Sequence, residues 1–134
     1  MRDKKIIKAV ILSLVFLDLV LSIWGFFFPE LWYSFFHNSV YIDPQALLKR
    51  CSGNWAAFFI LQVIAFFKWE KSLWWLILVA GCRLGDSLTD ITCLIFSQNI
   101  SVFGMLAFPA AGLGNIIIGI FLIQSYTRIN GKTT

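Results

Sequence analysis

Four long apolar stretches, at about 6–28, 46–67, 72–96 and 100–126, take up most of this 134-residue chain. Each is close to the roughly 20 residues that an α-helix needs to cross the hydrocarbon core of a bilayer. Little sequence is left over, so 1–134 reads as a single transmembrane domain. Only 13% of the residues are charged, against about a quarter in soluble domains. The connections after the second and third stretches are a few residues long, which makes neighbouring helices antiparallel. The predicted fold is all-α, an integral membrane four-helix bundle with an interfacial segment between its first two helices. That segment, 29–45, holds Glu30, Trp32, Tyr33, His37, Tyr41 and Asp43. Such a mixture suits the membrane interface and is expected to cap one mouth of the bundle.

Charge placement sets the predicted topology. Arg2, Lys4, Lys5 and Lys8 precede the first helix, Lys68 and Lys71 join the second to the third, and Arg128 and Lys132 follow the fourth. All eight fall on one side, and the positive-inside rule puts that side, with both termini, in the cytoplasm. The net charge of +4 is therefore a topology signal and not a nucleic-acid footprint. The basic N-terminus imitates a secretory signal, but its apolar run is long, contains Asp18 and is followed by aromatic residues. It reads as a retained first helix.

One helix carries the densest signal. Arg83, Asp86 and Asp90 lie at i, i+3 and i+7 within 72–96, so a helix lines all three along one stripe. Ionisable residues at membrane depth cost roughly 2.5–3.5 kcal/mol each on insertion scales and face a bundle interior. Counted at about 1.5 Å per residue, Asp18 and Arg83 sit at similar depth near the midplane and are plausible partners. Asp86 and Asp90 climb towards the outer half, where Lys49, Arg50 and Asn54 open the second helix. Three carboxyls against Arg83 leave two negative charges in excess. Lys49 and Arg50 are candidates to balance them; otherwise one carboxyl stays protonated. Gln62, Ser87 and Thr89 add hydrogen-bonding groups. The expected site is a polar pocket open to the outer side, floored near Arg83, with Asp18, Arg50, Asn54, Arg83, Asp86 and Asp90 as ligand- or ion-binding residues.

Other residues read more plainly. His37 is the only histidine, has no soft ligand near it in sequence, and serves as an interfacial polar group close to the pocket mouth. Cys51, Cys82 and Cys93 form no metal or redox motif, so no metal site is predicted. Asn115 is expected to bond across helices. Pro109, among Gly104, Gly112, Gly114 and Gly119, predicts a kink with close packing. Trp24 and Trp55 either anchor helix ends, like the other tryptophans, or line a ligand pocket.

The stretches Phe-Pro-Glu-Leu-Trp at 28–32, Asp-Pro-Gln-Ala-Leu-Leu-Lys-Arg at 43–50, Asn-Trp-Ala-Ala at 54–57 and Ala-Gly-Cys-Arg-Leu-Gly-Asp-Ser-Leu-Thr-Asp at 80–90 together resemble small four-helix bacterial membrane proteins of the DoxX-like kind. The resemblance implies a four-helix bundle; the expected location is a bacterial inner membrane. Characterised members of that broad group are associated with respiratory quinone chemistry; no activity and no residue role is carried over from them.

Three functions compete. A binding or transport module accepts a small ligand, a lipid or quinone head group, or a proton or ion in the outward pocket, with Asp86 and Asp90 taking protons or cations. An accessory or scaffold subunit of a larger membrane complex uses the same charges only to hold its helices together. A lipid- or quinone-modifying enzyme has the least support, since the chain shows no nucleophile beside a base, no metal-ligand set and no phosphate loop. The first is the preferred expectation. No cofactor is predicted beyond a bound lipid or quinone, and the partners are the bilayer and a homo-oligomer or larger complex.

Overall fold

The computed structural model describes residues 2–131, with Arg2 described by its backbone alone. Lys132, one of the basic residues counted for topology, lies outside the described residues. The chain forms α1 (Arg2–Phe27), α2 (Pro29–Phe36), α3 (Leu47–Lys68), α4 (Trp74–Phe96) and α5 (Val102–Asn130).

Five helices replace the four of the predicted bundle, and the cause is local. Pro29 has no N–H with which to continue α1, and it disfavours helical geometry at Phe28, which adopts φ −128° and ψ 53°. The same ring is well suited to the first position of a new helix. The segment expected to lie between helices therefore opens as a helix of its own, which buries Pro29, Trp32 and Phe36.

Side-chain hydrogen bonds fix the starts of α3 and α5. The Asp43 carboxylate accepts hydrogen bonds from the backbone N–H groups of Leu47 at 2.7 Å and Leu48 at 2.9 Å, satisfying donors that a helix start leaves open. Ser101 does the same for α5, its Oγ accepting from the Gly104 N–H at 3.0 Å. From there α5 runs as one helix through Pro109.

Three helices are long and apolar enough to cross a membrane: Asp3–Phe27, Leu47–Lys68 and Val102–Asn130. At 23 residues α4 has the length, but Arg83, Asp86 and Asp90 deny it the same apolarity. The protein nonetheless exposes large apolar side chains and buries ionisable ones midway along its helices. Phe16 is 69% exposed and Ile117 66%, while Asp18, Gln62 and Arg83 are fully buried. That inversion suits a chain surrounded by lipid.

The helices pack as two pairs. α1 lies along α3 and α4 along α5; contact between α1 and α5 is slight. At the end that holds both termini, Lys4 and Lys8 reach Glu70 at 3.1 and 2.7 Å, and Arg128 reaches Asp3 at 3.9 Å. At the other end α2 is stitched to the start of α5. The Ser101 N–H donates to Phe36 O at 3.0 Å, the Asn38 N–H to Asn99 O at 2.6 Å, and Ser101 Oγ to Phe35 O.

Two apolar clusters fill the interior. Ile7, Ile11, Leu14, Ala65, Trp69, Leu76, Val79, Ala80 and Leu122 form the core nearer the termini. Trp32, Phe36, Leu48 and Phe108 form the core under α2. A layer of polar side chains separates the two.

Candidate functional site

Each of the four long helices contributes to that layer. Asp18 comes from α1, Trp55 and Gln62 from α3, Arg83, Asp86 and Asp90 from α4, and Asn115 from α5. Arg83 donates to both oxygens of Asp18, from Nη2 to Oδ2 at 2.6 Å and from Nη1 to Oδ1 at 3.2 Å, and both side chains are fully buried. Such a two-pronged pair suits the planar guanidinium. Gln62 Nε2 adds a third hydrogen bond to Asp18 Oδ2 at 2.7 Å. The Arg83 guanidinium also lies 5.4 Å over the ring of Phe58. Its Nε and the Oε1 of Gln62 are buried without hydrogen-bond partners.

Towards α2 the network changes character. Asp86 Oδ2 lies 3.6 Å from Arg83 Nη1, and Asp86 accepts from Trp55 Nε1 at 3.3 Å and from Asn115 Nδ2 at 3.2 Å. The same Nδ2 donates to Asp90 Oδ2 at 3.2 Å. Asn115 Oδ1 accepts in turn from Arg83 at 3.4 Å. Asn115 is thus the hub joining the buried ion pair to the two outer carboxylates. Among the described residues its amide is the only hydrogen-bond donor to Asp90.

These two carboxylates end at a cavity of about 260 Å³, walled by Leu17 and Leu21 of α1, Trp32 and Phe36 of α2, Trp55 of α3, and Ala107, Phe108, Ala111, Gly114 and Ile118 of α5. α2 roofs it. Leu17 and Ala111 are exposed on either side, so the mouth faces sideways between α1 and α5, where those helices barely meet. The sequence had suggested a mouth at the outer end. A second cavity, of about 180 Å³, lies between α3 and α4 and is lined in part by Tyr33, His37, Cys51, Thr89 and Cys93. Trp32, Trp55, Asp90 and Phe108 border both.

The structure therefore gathers Asp18, Gln62, Arg83, Asp86 and Asp90, and leaves Lys49, Arg50 and Asn54 outside. Those three are exposed. Buried positions on α3 run Leu48, Ser52, Gln62 and Ala65, a helical stripe that 49, 50 and 54 miss. Lys49 lies 5.8 Å over the Phe26 ring instead. Neither it nor Arg50 balances the carboxylates. Thr89 is exposed and bonds back to Gly85 O at 3.4 Å. His37 lies against Tyr33 and Phe108, with ring centroids 4.9 and 6.0 Å away, and burial pushes its imidazole below the usual value.

Sequence reasoning underrated Asn115 and missed Trp55 as a donor. Asn115 had a signal: it is the only polar side chain between Ser101 and Gln124. Among the described residues no group of histidine, cysteine and acidic side chains is arranged to hold a metal, and the three cysteines are free. No protein-family model, curated protein or solved structure matches this chain.

Proposed function

We propose that this protein binds a small amphipathic molecule taken laterally from the membrane, with its apolar body between α1 and α5 and its polar head on Asp86 and Asp90. The observation that carries this reading is the cavity itself. Its walls are apolar and aromatic, its polar groups converge at one end, and its mouth faces the direction from which a membrane-dissolved molecule arrives. A volume of about 260 Å³ lies just below the range of roughly 300–1,000 Å³ for small-molecule sites, so a head group and a short length of chain fill it.

The two halves of the polar layer divide the work. Asp18, Gln62 and Arg83 are sealed and act as the lock that keeps α1, α3 and α4 in register. Asp86, Asp90 and Asn115 border open space and are the recognition groups. A proton- or ion-coupled version of the same function would rest on Asp90, which borders both the cavity between α1 and α5 and the one between α3 and α4. The basic residues gathered at the terminal end support placing that end in the cytoplasm. The DoxX-like resemblance supports a bacterial inner membrane.

Native mass spectrometry of the protein released from neutral detergent tests the proposal. A co-purifying lipid-like molecule is expected on the wild type and absent from Gly114→Leu, which fills the cavity where an added Cβ meets no atom within 4 Å. An empty wild type that shows no saturable binding of added amphiphiles would reduce the polar layer to a scaffold element.

A further inference from the structure

The cavity under α2 also specifies the chemistry of its ligand, and this step rests on the binding function just proposed. The hydrogen-bond donors that reach its two carboxylates are already engaged. Asn115 Nδ2 gives to Asp86 and Asp90, Trp55 Nε1 gives to Asp86, and Arg83 is fully buried and held by Asp18. What remains at the carboxylate end is acceptor capacity and a shortage of positive charge. The three carboxyls of the network face one guanidinium, and Lys49 and Arg50 stand outside it. A head group made only of acceptors, such as a quinone ring or a phosphate, would face two carboxylates at that end of the cavity.

The remaining walls are aromatic. Trp32 stacks on Phe36 with ring centroids 4.4 Å apart, Trp32 lies 5.1 Å from Trp55, and Phe36 lies 5.5 Å from Phe108. All four rings border the same cavity as Asp86 and Asp90. Aromatic faces beside carboxylates attract organic cations through ring quadrupoles and charge together. We infer that the ligand is a hydrophobic organic ammonium, its cationic head between Asp90 and the Trp32 and Trp55 rings and its apolar tail leaving between α1 and α5.

Isothermal titration in neutral maltoside micelles separates this inference from the function beneath it. The probes are dodecyltrimethylammonium, whose charge does not depend on pH, and neutral decylbenzoquinone. Wild-type protein, Asp90→Asn and Gly114→Leu are compared, with helicity and thermal unfolding checked for each. The expected result is one-site binding of the ammonium, weakened about tenfold by Asp90→Asn and abolished by Gly114→Leu. If both probes bind alike, or the quinone better, and Gly114→Leu abolishes both, the ammonium assignment falls and the lateral cavity stands. If no binding depends on Gly114, both fall. Should Asp90→Asn fail to fold, Trp32→Leu replaces it, and unchanged ammonium affinity in that variant overturns the aromatic part of the inference.

Discussion

Asp18 and Arg83 are a pair whose members are safe only together. Both are fully buried and mutually hydrogen-bonded, so removing one leaves the other as an uncompensated charge, which costs about 3–5 kcal/mol. Arg83→Met is therefore expected to lower the unfolding temperature severely, or to prevent recovery of folded protein from membranes. The double variant Asp18→Leu with Arg83→Met regains much of the loss, as thermal scanning in detergent would show. Asp90→Asn, facing the cavity, is expected to change stability by less than about 1 kcal/mol. The contrast separates the buried lock from the carboxylates proposed to recognise a ligand. The sequence made the locked pair legible because depth alone matches Asp18 to Arg83. It misplaced Lys49, Arg50 and Asn54 because depth says nothing of which way a side chain points around its helix. Only the stripe through Leu48, Ser52, Gln62 and Ala65 reveals that.

Helices here are joined by close approach at glycines. A Cβ on Gly104 would collide with the carbonyl oxygen of Phe36, and one on Gly119 would press against Leu84. Gly104→Ala is expected to cost about 1–3 kcal/mol by overpacking the junction of α2 with α5. Gly81→Ala, which meets nothing within 4 Å, is expected to be neutral or slightly stabilising, since alanine favours a helix; thermal unfolding distinguishes the two. Asp43→Ala removes the cap of α3 and is expected to cost about 1 kcal/mol in the same measurement. Long apolar helices were readable because twenty apolar residues admit few other structures. The short α2 was not, because its eight residues amount to well under half a span and too few turns to stand out from an interfacial connection. Pro29 was the available sign, its ring ending one helix and beginning another.

Across the whole molecule, the two helix pairs are tied at three levels: at the terminal end, where Arg128 of α5 meets Asp3 of α1 and Glu70 anchors the α3–α4 connection to α1, in the polar layer midway, and in the stitching of α2 to α5 at the far end. The lowest tie is exposed and sensitive to pH. Hydrogen bonds from Lys8 and Lys4 hold the Glu70 carboxyl below its ordinary value of 4.5. A carboxylate favoured in the fold stabilises above that ordinary value, and the contribution is lost as the pH falls through the lowered one. Unfolding temperature is expected to drop on acidification below about pH 4.5, and less so in Glu70→Gln or at high salt, which screens exposed charges. The middle tie has a consequence for biosynthesis. Asp18 is made 65 residues before Arg83, so a nascent α1 enters the membrane carrying a carboxyl whose partner does not yet exist. Until α4 emerges, α1 is a poor tenant of lipid, its unpaired carboxyl costing roughly 2.5–3.5 kcal/mol at membrane depth.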